Sequence, residues 1–438
     1  VAYSTTTLAQ LISQISYLLD DTGNVYWKVP EITYTVYEAL RVWGALTNYW
    51  RTRGTFNLNP SSPYPYYDLS LCLPTLRTRT YTLGQMVQEI QYALLENPSG
   101  IAGTGMSGQV SITTILQAIQ SGRDQFVLDT HLPLSIHSNF AGVPQDGMVS
   151  FPQTSAFVHR VGWQDTASGT WTNLWRQDAW AVDKANALWP TQPGTPQQYS
   201  EAENAPLQLQ VSPPPQAAGT IEALTVDSMV MDLTNPATVF GVPDEWIHAI
   251  KYEALSHLLY TESQLFDPLR AEYCAKRYDQ AVEFAKDARS ILRLLCNGLP
   301  LNLDSLDNVD AGLPFWRNQS GPPQVAGALY DIIAVAPGIP DQPYGMAADV
   351  SQTAPLPTSG QYVQIGEEDL DHIVDYVTHS LSFKCGGNDL KSTFPKYDEF
   401  MKAVSMRKGV NSAKVQYLTP LFAQPQTEWA QRPSRAKV

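Results

Sequence analysis

Few residues of this chain have the types and spacing to do chemistry. GTGMSG at 103–108 fits G-x-G-x-x-G, the pattern of a phosphate-cradling turn, but that turn needs a strand before it and the periodicity here predicts a helix. The stretch reads better as a hairpin tip. His248 and His257 lie nine residues apart on one predicted helix, on opposed faces, so they do not converge on a metal. Glu367, Glu368, Asp369 and Asp371 could supply a general acid and base, yet a helix N-terminus alone accounts for clustered carboxylates. Trp163, Trp171, Trp175, Trp180 and Trp189 could stack against sugar rings, and alternating aromatics fill sheet interiors equally well. No HExxH, GxSxG or P-loop occurs, and LDSLDNVDAG lacks EF-hand ligand spacing. The expectation is a protein that is not an enzyme, with no catalytic residue, no metal and no cofactor.

The elements that would have to position such groups belong to a large chain. At 438 residues there is length for two to four domains and a real core. Charged residues make up only 16% and Pro reaches 32, so neutral polar loops and protein-facing surfaces are expected. A net charge of -14 argues against a surface that grips nucleic acid, which needs clustered Lys and Arg. It is compatible with a wall that DNA slides past. No apolar run approaches the roughly 20 residues of a membrane helix, and VAYSTTTLAQ carries neither the basic nor the apolar part of a secretion signal. A soluble, unsecreted chain with no membrane contact is expected. Cys72, Cys274, Cys296 and Cys385 form no CxxC pair and are read as buried free thiols.

Periodicity reveals duplication. TLAQLISQISYLL from Thr7 matches TLGQMVQEIQYALL from Thr82, two amphipathic helices with Leu8, Leu11, Ile12 and Ile15 answered by Leu83, Met86, Val87 and Ile90. Each opens with Thr followed by Gln10 or Gln85, the spacing of a capping box. A second apolar-periodic segment follows in each case, at 30–51 and 110–128, giving two helical hairpins. Further on, VPDEWIHAIKYEALSHLLY (242–260) and IGEEDLDHIVDYVTHSLSF (365–383) share spacing, so that Ile247, Ile250 and Leu258 align with Leu370, Ile373 and Leu381. Their following helices align at RYDQAV and KYDEFM. PPPQAAGTIEALTVDS (213–228) resembles PPQVAGALYDIIAVAP (322–337) and is read as the strand leading into each helical pair.

The expected fold is α+β, with duplicated helical hairpins and strand-plus-two-helix modules around a small antiparallel β-sandwich. The expected divisions are a first hairpin (1–53), an extended connection (54–81), a second hairpin and loop (82–149) and a β-rich domain (150–235). A helical pair (236–297), a Pro-rich arm with the repeated strand lead-in (298–360), a second helical pair (361–406) and a basic tail (407–438) follow. The Pro-rich links of the arm, 298–325 and 337–360, are expected to be irregular loops that drape over a partner or stay mobile. In the tail, Trp429, Arg432, Arg435 and Lys437 are the candidate partner-binding residues.

YWKVPEITYTVYEALRVW, with Trp27, Glu31, Ile32, Tyr34 and the Glu38-Ala39 pair, resembles the helical start of tailed-bacteriophage head-to-tail connector proteins, the adaptors of the neck. LQLQVSPPPQAAGTIEALTV running into VPDEWIHAIKYEALSHLLY and the helix after it resembles the family's strand, Pro-rich turn and closing helices. Together they cover 7–50 and 205–295; the hairpin at 82–128 and the module at 322–405 depart from the pattern. The resemblance implies a structural virion protein, assembled in the host cytoplasm, that forms a homo-oligomeric ring of twelve copies or, alternatively, six. The ring would sit between portal protein and tail or nozzle proteins, with DNA passing through its channel without specific binding. Stacking the two sets of parts along the channel is the favoured arrangement, with side-by-side placement the other. The alternatives are a tail nozzle or baseplate component, or a tail-associated carbohydrate-binding protein.

Overall fold

A computed structural model describes residues 5–60, 66–73, 78–95, 110–142, 147–152, 155–185, 188–201, 208–227, 231–261, 265–288, 291–313 and 315–430. Helices α1 (Leu8–Leu18) and α2 (Val29–Thr47) form the first hairpin, and α4 (Leu83–Ala93) and α5 (Ile112–Thr130) the second. The short helix α3 (Leu69–Cys72) lies between them. The predicted capping boxes close both first helices. The Thr7 backbone donates to Gln10 Oε1 at 2.8 Å and the Thr82 backbone to Gln85 Oε1 at 3.0 Å, while each threonine hydroxyl accepts in return. Both second helices stop at a left-handed residue, Asn48 (φ 49°) and His131 (φ 57°), a conformation that satisfies a last-turn carbonyl and turns the chain toward a strand.

Those strands belong to two separate seven-stranded sheets. The first joins β1 (Arg51–Leu58), β2 (Tyr66–Asp68), β10 (Ile291–Cys296), β11 (Leu299–Ser305), β13 (Val325–Leu329), β14 (Ile332–Ala336) and β16 (Tyr344–Ser351). The second joins β3 (Leu134–Gly142), β4 (Met148–Ser150), β5 (Ser155–Asp165), β6 (Trp171–Arg176), β7 (Gln198–Glu201), β8 (Gln208–Ser212) and β9 (Gly219–Asp227). The spatial orders are β1-β16-β10-β11-β13-β14-β2 and β3-β9-β5-β6-β7-β8-β4. Read by chain position within each sheet, these are one topology. Each contains a single parallel pair at the same place, β11 with β13 and β6 with β7. A short helix lies within that crossover in both, α9 (Leu306–Gly312) and α6 (Ala179–Ala185). The two-stranded pair β12 (Ser320–Gly321) with β15 (Ile339–Pro340) answers the isolated bridge of Gly194 with Pro215.

Helical pairs complete both units: α7 (Ile247–Tyr260) with α8 (Pro268–Lys286), and α10 (Glu367–Ser382) with α11 (Gly387–Ala430). Thr7 bridges Tyr362, and Thr82 bridges Val239. Counted from those bridges, Ile247, Ile250 and Leu258 fall on Leu370, Ile373 and Leu381, and all six are buried. The copies are nested rather than placed in tandem. An inner unit, 82–286, interrupts an outer unit made of 7–73 and 291–407.

Nesting corrects several expectations. The expected single β-sandwich is two curled sheets, one per unit. The arm at 298–360 is not draped outward: β11, β13, β14 and β16 are strands of the outer sheet, and Ala326, Ile333, Val335, Met346 and Val350 fill its interior. High Pro content disguised them, because most of the prolines stand between short strands, while Pro300 lies within β11. The resemblance of 213–228 to 322–337 is not a structural correspondence, since the counterpart of β9 is β16, whereas β13 and β14 answer β7 and β8. Pro-Gly turns look alike wherever strands begin, and hydrogen-bond register alone assigns them. The boundary at 407 lies inside α11, where Arg407 clamps Asp369 (3.0 Å) and Glu368 (3.0 Å). One apolar cluster spans the helices of both units, so the helical layers share a core while each sheet has its own.

Candidate functional site: the seam between the units

The residues singled out for chemistry do not gather. His248 is buried and its Nδ1 lies 3.0 Å from the Glu245 carbonyl, whereas His257 faces solvent beside Glu253. Glu367 accepts the Thr5 N–H at 3.3 Å, and Glu368 and Asp369 hold Arg407; the carboxylate cluster is a helix start with its cation. Trp163, Trp171 and Trp189 are buried, while Trp175 and Trp180 are 73% and 72% exposed, so five tryptophans do not form one platform. GTGMSG and the side chains of Trp429, Arg432, Arg435 and Lys437 lie outside the described residues. Cys274 and Cys296 are buried and free, with burial pushing both thiols up, but Cys385 is exposed against expectation. Among the described residues no group of three or more His, Cys, Asp and Glu side chains could hold a metal, and no helix is long and apolar enough to cross a membrane.

Polar chemistry concentrates instead where the units meet. On α2 of the outer unit, Glu38 takes hydrogen bonds from Lys251 and from the hydroxyls of Tyr252 (3.2 Å) and Tyr376 (2.7 Å). Lys251 also reaches Glu89 on α4 at 3.3 Å. Burial alone would raise the Glu38 carboxyl, but Lys251, His248 and the hydrogen bonds hold it down at about 2. Burial likewise opposes the Lys251 charge, and Glu38 and Glu89 outweigh it, so the ammonium stays above its ordinary value. Beside them Arg277 stacks on Tyr397 at 4.1 Å and donates to the Tyr376 hydroxyl at 2.6 Å. His379 sits between the Tyr273 hydroxyl (2.8 Å) and Thr393 (3.0 Å). Burial lowers His248 to about 4 and His379 to about 3, keeping both neutral.

A second contact joins the outer unit to the inner sheet. After α9, Arg317 enters between strands, ion-pairs with Glu222 on β9, donates to Asn173 at 3.2 Å and lies 4.1 Å from the Trp171 ring. Gly162 makes room for it, since a Cβ there would collide with the guanidinium. Burial pushes the Glu222 carboxyl up against the pull of Arg317. Asn318 exchanges hydrogen bonds with the Trp171 backbone at 2.6 and 2.7 Å, and Arg160 pairs with Asp310. In the outer unit Trp316 donates to Asp310 (2.6 Å); in the inner unit Trp189 donates to Asp183 (2.8 Å). Sequence reasoning missed this seam. Its one advance signal was charged and aromatic residues on otherwise apolar helical stripes, such as Glu38, Lys251 and Arg277.

Buried ion pairs thus fix one α+β unit against a second copy of itself. Residues 81–293 match the model of the SU10 adaptor protein family, which supports the resemblance of these residues to phage head-to-tail adaptors. No curated protein matches the chain. The match covers the inner unit almost end to end, hairpin included. The hairpin at 82–128, expected as a departure from the family, is therefore the family's own, and the outer unit, with the hairpin 7–50, repeats its topology around it.

Proposed function

We propose that this phage structural adaptor forms a homo-oligomeric ring between portal protein and tail, leaving a channel for DNA, and that it is not an enzyme. The observation that carries the reading is the coincidence of the family match, 81–293, with one complete structural unit. The net charge of -14 supports passage without adhesion, because an acidic wall repels phosphate. Residues Trp429, Arg432, Arg435 and Lys437 would clasp an acidic neighbour, with assembly in the host cytoplasm. Adding the purified chain to DNA-filled heads that carry portal but no tail tests this. A discrete ring of density under the portal by electron microscopy is the expected result. Density at a tail tip, or retention on glycan supports without portal binding, would overturn it in favour of a nozzle, baseplate or carbohydrate-binding role.

A further inference from the structure

The seam inside the chain is directional. The outer unit contributes the α2 face carrying Tyr34, Glu38 and Arg41; the inner unit answers with the α4 face carrying Gln88, Glu89 and Tyr92. Tyr34 Oη meets Gln88 Oε1 at 3.1 Å, and Arg41 lies over the Tyr81 ring just before α4. The unit equivalence set by the hairpin caps and bridges gives each face a twin. The twin of the α2 face is α5 of the inner unit, where Gln117, Ser121 and Asp124 stand. The twin of the α4 face is α1 of the outer unit, where Ser13, Gln14 and Tyr17 stand. The residues of the first two faces are buried or half-buried, while on the twins all but half-buried Asp124 are exposed. Tyr17 is 75% exposed on one twin and Leu128 53% on the other. Each chain thus leaves bare the two opposite halves of the seam it has already made once.

We propose that copies of this chain join through that same seam, the α5 face of one inner unit docking on the α1 face of the next copy's outer unit. Seams within and between chains then alternate. Such a contact is heterologous: after two copies join, one α5 face and one α1 face remain free, so addition continues until a ring closes. A ring presents twice as many units as chains, and six chains would give twelve equivalent positions. The twin faces are rich in amides and hydroxyls, with Asp124 at the half-buried edge of one, suiting surfaces that must stay solvated before assembly, whereas the permanent seam buries Glu38 and Lys251. A second element agrees. The outer Arg317 segment is buried in the inner sheet, while its inner twin around Trp189 leaves Trp180 and Leu188 72% and 61% exposed.

The inference rests on the ring reading above, and one experiment separates the two. Ser13→Cys and Gln117→Cys are introduced together and singly into Cys385→Ser protein, because their twins Gln88 and Tyr34 touch within the chain. Assembled protein is treated with a short bifunctional maleimide, and its mass is measured without cross-linker in parallel. The double variant should give a ladder of covalent multimers ending at the ring, and a mixture of the two single variants, with one introduced thiol per chain, should give dimers and nothing larger, and only where both are present. Dimers from Ser13→Cys alone would overturn the proposal by showing a two-fold contact. Rings of the correct mass without a ladder would overturn it and leave the ring reading standing; no assembled species at all would remove the ring reading and this inference with it.

Discussion

Tyr34, Glu38, Arg41 and Val42 on α2 stand where α5 carries Gln117, Ser121, Asp124 and Gln125, yet only the α2 face is covered within the chain. The backbones are the same length and each ends on a residue in the left-handed conformation, Asn48 in one and His131 in the other. What differs is the company each face keeps. A helix face that will always be covered can hold a charge, provided the partner arrives in the same chain. A face that is free in the isolated chain must remain compatible with water. Duplicated units diverge first at the surfaces where their neighbours differ.

The largest test of that contrast is acid. His248 and His379 lie on the seam, held neutral by burial with values near 4 and 3. The position equivalent to His248 is the exposed Asp371, and that equivalent to His379 is Ser256. The unfolded chain protonates histidine near 6.5, so the folded state binds fewer protons below that pH. The stability these groups contribute is complete above pH 6.5 and is lost as pH falls toward 4 and then 3. Urea unfolding at pH 4 should show a loss on the order of 3 kcal/mol per histidine relative to pH 7. Glu38 runs the same way at lower pH: its contribution, complete above its ordinary 4.5, is lost as pH falls from there toward 2. A pH-independent midpoint between 7 and 4 would break the assignment of the seam as buried and neutral at its histidines.

Lys251 occupies the position of Val374 in the outer unit. Lys251→Met leaves Glu38 and Glu89 facing one another without a cation, and denaturant unfolding should show a loss of about 4 kcal/mol. The triple variant Lys251→Met, Glu38→Gln, Glu89→Gln should recover most of it. No recovery would mean that the lysine stem, rather than its charge, holds the contact. Arg317 gives the next effect. Arg317→Ala strands Glu222 inside the sheet contact and should cost about 3 kcal/mol, whereas Pro190→Ala at the equivalent exposed position should change stability by less than about 0.5 kcal/mol. Equal losses would sharpen the comparison by showing that the inner turn is also covered in solution. The smallest change belongs to Leu128→Ala and Tyr17→Ala, each within about 0.5 kcal/mol in the isolated chain, measured by thermal unfolding at low protein concentration.

Local structure was legible where local physics decides it. Thr7 with Gln10 and Thr82 with Gln85 marked two helix starts, because a capping box is an interaction within one turn. The spacing of Ile247, Ile250 and Leu258 against Leu370, Ile373 and Leu381 gave the correct register of two helices a hundred residues apart, because a buried stripe follows the helix period. Acidic residues at the start of α10 were read as a helix N-terminus, and Arg407 added only the partner. The α+β class and the adaptor resemblance followed from the same patterns.

The nesting was not legible. Strands β1 and β16 pair across nearly the whole chain, Arg51 with Ser351, and no periodicity within either strand records which distant strand it meets. Pairing is a property of two segments and of everything folded between them, so the β13–β14 stretch reads as the counterpart of β9, a place that β16 holds. Nor does a sequence carry burial: Glu38 and Gln117 are both polar residues on amphipathic helices, and only the packing of one unit on the other makes the first a buried ion-pair member and leaves the second bare. Sequence alone determined where helices begin, which stripes face inward and that the parts come twice. Tertiary structure decided which strands belong together and which of two equivalent faces is covered, because both depend on contacts between residues hundreds of positions apart.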